Sequence, residues 1–556
     1  MNDTVRIECE NTHSEIYVEW GTPLHTIADR IEVAGNGHPF LAAYVNNCLR
    51  ELDYKIGEPV TVRFIDITHF AGIRVYQRTL FITLHKAVHD LYPNNRFRII
   101  HSISKGFYCE IEGIEITPQV IADIRRRMDE LIAADIPIVR HKLLRDEAIE
   151  LYRQLGFQDK IDIISSRPHL YVTVYRLDDM AGYFYGALAP STGSITLYDL
   201  KPYYNGIYIA VPRRTRPEEL EPMVPQDKMF DIFREYKGWV EVMGVENIGS
   251  LNKKILGGDA GELIKIAEAF HEKKLAAVAD TIFDRHNAVG TRLVLISGPS
   301  SSGKTTFAKR LGIQLRILGL EPVLISLDDY FLDRENTPLD GNGQYDYETI
   351  DALDIPTFNQ NLNDLFAGRK VDIPRYDFIT GHRQWHEQPL SLNDNSILVI
   401  EGIHGLNPRL TAQIDENKKF KIYISCFTSI SMDDLSRIPT TDNRLIRRIV
   451  RDNAYRGTDA AATLKRWGSV RRGEDRHIFP FQENADVMFN SSLFYEIPVL
   501  KHYVEPLLYA VPDTVEEYGE AHRLLRFLDN FLEIAPNEIP PTSVLREFIG
   551  GSSFTY

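Results

Sequence analysis

The sequence predicts a multidomain chain of two characters, α+β in its first 225 residues and α/β in its C-terminal half. Three observations lead there. A length of 556 residues is enough for three to four domains at about 150 residues each. Early in the chain, short β-rich runs are mixed with single amphipathic stretches. From Thr291 onward, strand-sized apolar runs (Leu293–Ser297, Val323–Leu327, Ile397–Glu401, Phe420–Ser425) alternate with helical patterns, which is how a parallel sheet flanked by helices reads.

Taken in order, residues 1–66 carry β-rich runs at Val5–Cys9, Glu15–Val18 and Val60–Ile65 and one helical pattern near Pro23–Val33, a small α+β unit. Residues 70–225 begin with an amphipathic pattern, Tyr76–Leu91, stopped by Pro93. Helices over Thr117–Ala134 and Arg145–Leu155 follow, and a Pro/Arg-rich stretch, Val211–Pro222, marks the boundary. Residues 226–290 read as mostly helical, clearest at Glu262–Phe283, a helical connector or an arm packed on a neighbour. Residues 291–535 form the α/β unit and 536–556 a C-terminal tail.

Composition narrows the classes. Hydrophobic residues are 44% and charged residues 25% of the chain, which argues against disorder and coiled coils. The net charge of −15 argues against a surface that coats nucleic acid, though not against a local basic patch. The cysteines, Cys9, Cys48, Cys109 and Cys426, form no CxxC pair and are too sparse for a disulfide scaffold, so a reduced, cytoplasmic setting is expected. No signal-peptide pattern and no apolar run of membrane-spanning length is visible.

The strongest motif is Gly298-Pro-Ser300-Ser301-Ser302-Gly303-Lys304-Thr305-Thr306. It matches the Walker A pattern GxxxxGK[ST], between a β-branched run and a helical pattern over Thr306–Leu318. Glycines let backbone amides curl around phosphate oxygens, and the helix N-terminus favours the anion. Lys304 can reach the outer phosphates, and the Thr305 hydroxyl can join a Mg²⁺ shell.

Three further signals address the phosphate acceptor. Asp328 and Asp329 end the run Ile325–Leu327, at the edge of a parallel sheet where ligands bind. A carboxylate there can take the proton of an attacking hydroxyl and touch the metal; an N-cap or turn aspartate is the alternative. Glu401 ends the apolar run Leu398–Ile400, a Walker-B-like place for a metal ligand. Arg444, Arg447, Arg448, Arg451 and Arg456 crowd one helical stretch, and Arg444, Arg448 and Arg451 share a face at i, i+4, i+7. That face can close as a lid over transferring phosphate, or be a solvated basic face.

Together these residues resemble the uridine/cytidine kinase family, within the group that includes phosphoribulokinase. GPSSSGKTT, SLDDYF, YDYETIDALD, IPRYDF, VIEGIHGL and RLIRRIVRD occur in family order between about Thr291 and Asn530. The resemblance implies transfer of the γ-phosphoryl of ATP to the 5′-hydroxyl of uridine or cytidine, with Mg²⁺, in pyrimidine salvage. By position it implies Asp328 as catalytic base, with Lys304, Arg448 and Arg451 also catalytic. The ATP-binding loop would be Gly298, Ser300, Ser301, Ser302, Gly303, Lys304, Thr305 and Thr306, and the metal ligands Thr305, Glu401 and Asp328. Substrate contacts would come from Asp328, Tyr330, Glu348, Tyr376, His382, Arg383 and Arg448. The sequence departs from the family at Glu348, where an Asp is usual, at Gly381 beside His382, and at Thr458, a lid-arginine position. These departures leave open another small hydroxylated metabolite as acceptor.

The first 225 residues resemble the N-terminal region of threonyl-tRNA synthetase: its β-grasp TGS domain over 1–66 and its editing domain over 70–225. The stretches Leu91-Tyr-Pro93, Lys105–Glu112 and Arg145–Gly156 carry the likeness. The editing chemistry does not carry over, because Arg78, Ile82, Lys201 and Asn205 stand where that family has its His pair and its Cys and His. His85 and His89 form an HxxxH one turn along, a weak metal candidate. The ancestry, with Arg213, Arg214 and Arg216, raises RNA or nucleotide contact by this half as a separate hypothesis, in which the phosphate loop serves a regulatory switch. A homo-oligomer is open.

Overall fold

The structure is a computed structural model. It describes residues 4–31, 37–341, 343, 345–377, 380–385 and 389–555; Glu32, Val33 and Phe378 of the stretches named above lie outside the described residues.

Residues 4–65 build a five-stranded mixed sheet in the order Ser14–Glu19, Thr4–Cys9, Val60–Ile65, Ala42–Val45, Cys48–Arg50. Thr4–Cys9 and Val60–Ile65 run parallel at its centre. Alternation sends Val5, Ile7 and Cys9 inward, where Leu24 and Ile27 of a short helix cover them. That helix spans only Leu24–Ala28, shorter than the predicted pattern, and its chain turns at Asp29.

The predicted helix over Tyr76–Leu91 starts earlier and spans Phe70–Leu91. It packs on a four-stranded antiparallel sheet ordered Asp199–Tyr203, Gly206–Ala210, Gly106–Ile111, Phe97–Ile103. The helices Pro118–Ala133, N-capped by Thr117, and Arg145–Leu155 fall where predicted.

The region 227–289 is helical throughout (Asp227–Met243, Ile248–Leu256, Ala260–Val289). It is not a detached connector. Leu275, Val278, Ala279 and Ile282 of the last helix cover one face of the C-terminal sheet, and Glu272 of that helix takes a 2.7 Å hydrogen bond from Arg310.

The C-terminal sheet is parallel throughout, in the order Glu321–Ser326, Ser396–Glu401, Leu293–Ser297, Lys419–Ser425, Val487–Asn490. Alternate residues serve opposite faces: Leu293, Leu295, Leu398 and Ile400 one core, Val294, Ile296, Ile397 and Val399 the other. Burial on both faces explains why these strands read as unbroken apolar runs. The register sets Glu401 beside Ile296 and Ser326, so three strand ends open on one crevice.

The segment 536–556, read from the sequence as a tail, is folded in. Val544, Leu545 and Phe548 are buried in a core shared with Leu445, Ile446 and Ile449. The same core takes in Tyr152 and Ile163 of the N-terminal half, so one apolar body crosses the chain. Ionic contacts reinforce the seam: Arg74 to Glu520 and Arg96 to Asp434, each bidentate.

Candidate active site

The site begins where strand Leu293–Ser297 ends. A side chain on Gly298 would collide with the Ile424 carbonyl, so the chain turns there only with glycine. Ser301 and Gly303 both have positive φ, 60° and 82°. Such angles are rare for a residue with a side chain, and the loop curls under that constraint into the helix Lys304–Ile317. Lys304 folds back so that its ammonium donates to the Pro299 carbonyl at 3.2 Å. Among the described residues the buried hydroxyls of Ser301 and Ser302 have no hydrogen-bond partner, a cost the fold tolerates where a polar ligand is to be held.

Four oxygen-bearing side chains converge on Lys304. The Thr305 hydroxyl donates to Glu401 at 3.1 Å, and the Ser326 hydroxyl lies 3.3 Å from the same oxygen. The Ser326 hydroxyl also caps the turn Leu327–Tyr330 by accepting from the Asp328 amide, which sets Asp328 over the crevice. Desolvation raises the Asp328 carboxyl above its ordinary range, opposed by Lys304, Arg456 and Arg451. Desolvation pushes Glu401 up to about 7, with Lys304 opposing and Asp328 adding to the shift. The Thr305, Glu401 and Ser326 oxygens suit a hard divalent cation that keeps waters and phosphate oxygens in its shell.

The arginine helix, Thr440–Arg456, divides the predicted lid into two groups. Arg444 and Arg447 are buried and structural. Arg444 forms a bidentate pair with Glu474, which also accepts from the Ser300 amide at 3.2 Å. Arg447 pairs with Glu496 and donates to the Ser491 carbonyl at 2.9 Å. These two brace the loop from behind and do not lie over it. Arg448 faces the site, donating to the Ser300 hydroxyl at 2.9 Å. Arg451 is held by Asp452, and both Arg451 and Arg456 act on Asp328. Desolvation and Arg451 lower Arg456 to about 10.

The predicted acceptor contacts are less evenly placed. Glu348 is at the phosphate end: desolvation and then Glu474 push it up to about 7, while Arg448 and Lys304 oppose. It packs on Gly473, where any side chain would collide with it. Tyr376 is buried beside Phe331, its amide donating to Asp329 at 3.3 Å. Tyr330 departs from expectation. It is turned into the core against Phe358, and Asn361 donates to its hydroxyl at 3.1 Å. His382 is exposed, 3.8 Å from Asp333, and Arg383 is paired with Asp354 at 2.7 Å.

Glu474 and Glu496 escape sequence reading because they lie 30 and 49 residues from their arginines in no motif. Arg456 was visible within the arginine run.

In the N-terminal half, Arg78 is half-buried and donates to the Ala187 carbonyl, Ile82 is core, Lys201 pairs with Asp199, and Asn205 accepts from the Tyr108 hydroxyl. His85 stacks on Phe97 and is lowered to about 3 by burial. Among the described residues no group of three or more His, Cys, Asp or Glu could hold a metal. Arg213 and Arg216 pair with Glu219, and Arg214 donates to the Thr68 carbonyl over the Phe70 ring. Two of the three arginines are thus paired with acid, and the third is held by a carbonyl and a ring. No helix among the described residues is long and apolar enough to cross a membrane.

A parallel sheet, a phosphate loop and acidic strand ends together make a P-loop α/β domain. Residues 293–495 match the model of the phosphoribulokinase / uridine kinase family. The chain is similar to uridine-cytidine kinase A of Dictyostelium discoideum, 29% identical over 196 residues, covering 35% of this chain and 34% of that one. Its N-terminal region is similar to the threonine–tRNA ligase of Syntrophotalea carbinolica, 31% identical over 170 residues, covering 30% of this chain and 27% of that one. A structure described as "a Possible Uridine Kinase from Bacillus stearothermophilus" is 22% identical, with TM-score 0.24, over 39% of this chain and 100% of that chain. A D-glycerate 3-kinase from Cryptococcus neoformans is 12% identical, with TM-score 0.21, over 46% and 87%. Residues 293–495 thus resemble the phosphoribulokinase / uridine kinase family, and the N-terminal region resembles part of threonine–tRNA ligase. The chain spans about a quarter to a third of the length of the sequence relatives it matches.

Proposed function

We propose that the chain is an ATP-dependent nucleoside kinase acting on uridine, with cytidine as a second substrate. The observation that carries this reading is the convergence of Lys304, Thr305, Glu401 and Asp328 at the strand ends. The bond between the 5′-oxygen and the γ-phosphorus forms, the bond from that phosphorus to the β–γ bridging oxygen breaks, and ADP leaves. Asp328 takes the hydroxyl proton; its raised basicity suits a general base. Lys304 and the loop amides hold the phosphates, and Arg448, Arg451 and Arg456 balance the transferring charge, so catalysis is mostly positioning and electrostatics. Thr305 and Glu401, with Asp328 nearby, would hold Mg²⁺, which when bound neutralises phosphate charge.

A second acceptor class, small hydroxylated metabolites, is favoured by the exposure of His382 and the commitment of Arg383 to Asp354. ADP release measured across nucleosides and a panel of such metabolites tests both. A kcat/KM far higher for uridine supports the first reading and rejects the second. Turnover with no nucleoside, while ATP binds, would overturn the first. Asp328→Asn should lower kcat by about three orders of magnitude with ATP affinity nearly kept.

A further inference from the structure

Residues 543–548 meet the phosphate loop. Val544 lies so close to Gly303 that any side chain there would collide with it. Phe548 lies under the Arg447 guanidinium, 5.0 Å from ring centroid to carbon, and Arg447 in turn donates to the Ser301 carbonyl at 3.4 Å. Between these two anchors Glu547 reaches the first turn of the phosphate-loop helix, where the Thr306 hydroxyl donates to it at 2.5 Å. The segment is firmly held: Leu545 and Phe548 are fully buried, and the Ser543 hydroxyl donates to Glu268 at 2.5 Å.

A helix N-terminus attracts anions through its free amides and dipole. The first turn of this helix contains no acidic residue of its own. Its anion comes from 241 residues away in sequence. The charge is felt across the site: Glu547 adds to the upward shift of Glu401 and opposes the lowering of Lys309.

Resting on the donor-site reading above, we propose that Glu547 is an internal anion of the phosphate site, a positioning residue that weakens nucleotide affinity. It holds Thr306 and the helix start in place when the site is empty, and the nucleotide's polyphosphate must bind against its charge. Glu547 therefore sets the KM for ATP and speeds release of ADP. Its role is electrostatic, and the packing of Val544, Leu545 and Phe548 fixes where the charge sits.

The test uses the full chain and titrates ADP with Mg²⁺ by calorimetry, alongside KM for ATP and kcat. Glu547→Gln keeps the shape and the hydrogen-bond acceptor but removes the charge. It should tighten ADP binding and lower the KM for ATP by about five-fold, the scale of one charge at a helix terminus. Glu547→Asp keeps the charge and should stay near the parent affinity. Thermal unfolding without nucleotide checks that both variants are folded. Equal or weaker ADP binding by a folded Glu547→Gln protein would overturn the inference while leaving the kinase reading intact. A parent chain that binds neither ADP nor ATP would instead overturn the donor-site reading itself.

Discussion

The surroundings of the phosphate loop and the N-terminal, threonine–tRNA-ligase-like half hold their polar groups differently. Around the phosphate loop, charged groups are crowded and kept out of ordinary equilibrium: Asp328, Glu348 and Glu401 are all raised, and two serine hydroxyls are buried without partners. In the N-terminal half, the positions named above are held by their immediate neighbours. Arg78 is tied to a carbonyl, Ile82 is core, Lys201 has an ordinary ion pair, and His85 is a neutral ring in an aromatic stack. The difference teaches where binding energy is stored. Perturbed carboxyls crowded into one crevice are a mark of a ligand site, whereas isolated buried polar groups elsewhere settle into packing.

The comparison can be broken most directly at Lys304. Lys304→Ala should lower kcat/KM for ATP by about three to four orders of magnitude, since one preorganised charge at a transferring phosphate contributes several kcal/mol. Steady-state kinetics checks it, and an active variant would remove the phosphate loop from the chemistry. Next in size is the brace behind the loop. Glu474→Ala leaves Arg444 buried without its carboxylate and should cost about 3–5 kcal/mol of stability. Urea unfolding measures this. The double variant Arg444→Met with Glu474→Leu should recover most of the loss, because an apolar pair of similar volume avoids the desolvation cost.

A smaller effect separates the two halves by pH. Glu348 is raised in the folded state from an ordinary 4.5 to about 7, by burial and then by Glu474. A carboxyl raised on folding adds stability that is fully present below pH 4.5 and is lost as the pH passes through about 7. The Glu348 contribution alone therefore lowers stability as the pH rises from about 4.5 to about 7. Glu348→Gln should flatten that loss by about 1–2 kcal/mol, read as Tm against pH. A decline unchanged in Glu348→Gln would show that this carboxyl titrates normally.

What the sequence reveals about such a molecule follows from how local the cause is. The phosphate loop, Asp328 and Glu401 are legible because backbone curvature and strand ends leave their marks within a few residues. The parallel sheet is legible because strands buried on both faces must be apolar throughout. Glu474, Glu496 and Glu547 are not legible: each acts on a partner 30, 49 or 241 residues away, and nothing near them marks the pairing. Tyr330 shows the opposite error. It sits in a family motif beside Asp328, yet the turn Leu327–Tyr330 rotates it into the core against Asn361. The arginine run has the right period for one face, but tertiary partners decide which members face phosphate and which become buried braces.

The smallest expected effect is also the sharpest test of the quiet half. His85 and His89 have the spacing of a metal pair, with ring centroids 6.4 Å apart. Yet His85 is pressed between Phe97 and Phe157 and held neutral by burial. If its role is packing, His85→Phe preserves the stack, removes a buried nitrogen that has no partner, and should change stability by less than about 1.5 kcal/mol. Kinase turnover should stay within about two-fold, because its contacts are to the aromatic stack and it has none with the phosphate loop. Elemental analysis of the purified chain should find transition metals well below one per chain, before and after the substitution. Stoichiometric zinc in the parent that is lost in His85→Phe would reverse the contrast and make the N-terminal half a metal site.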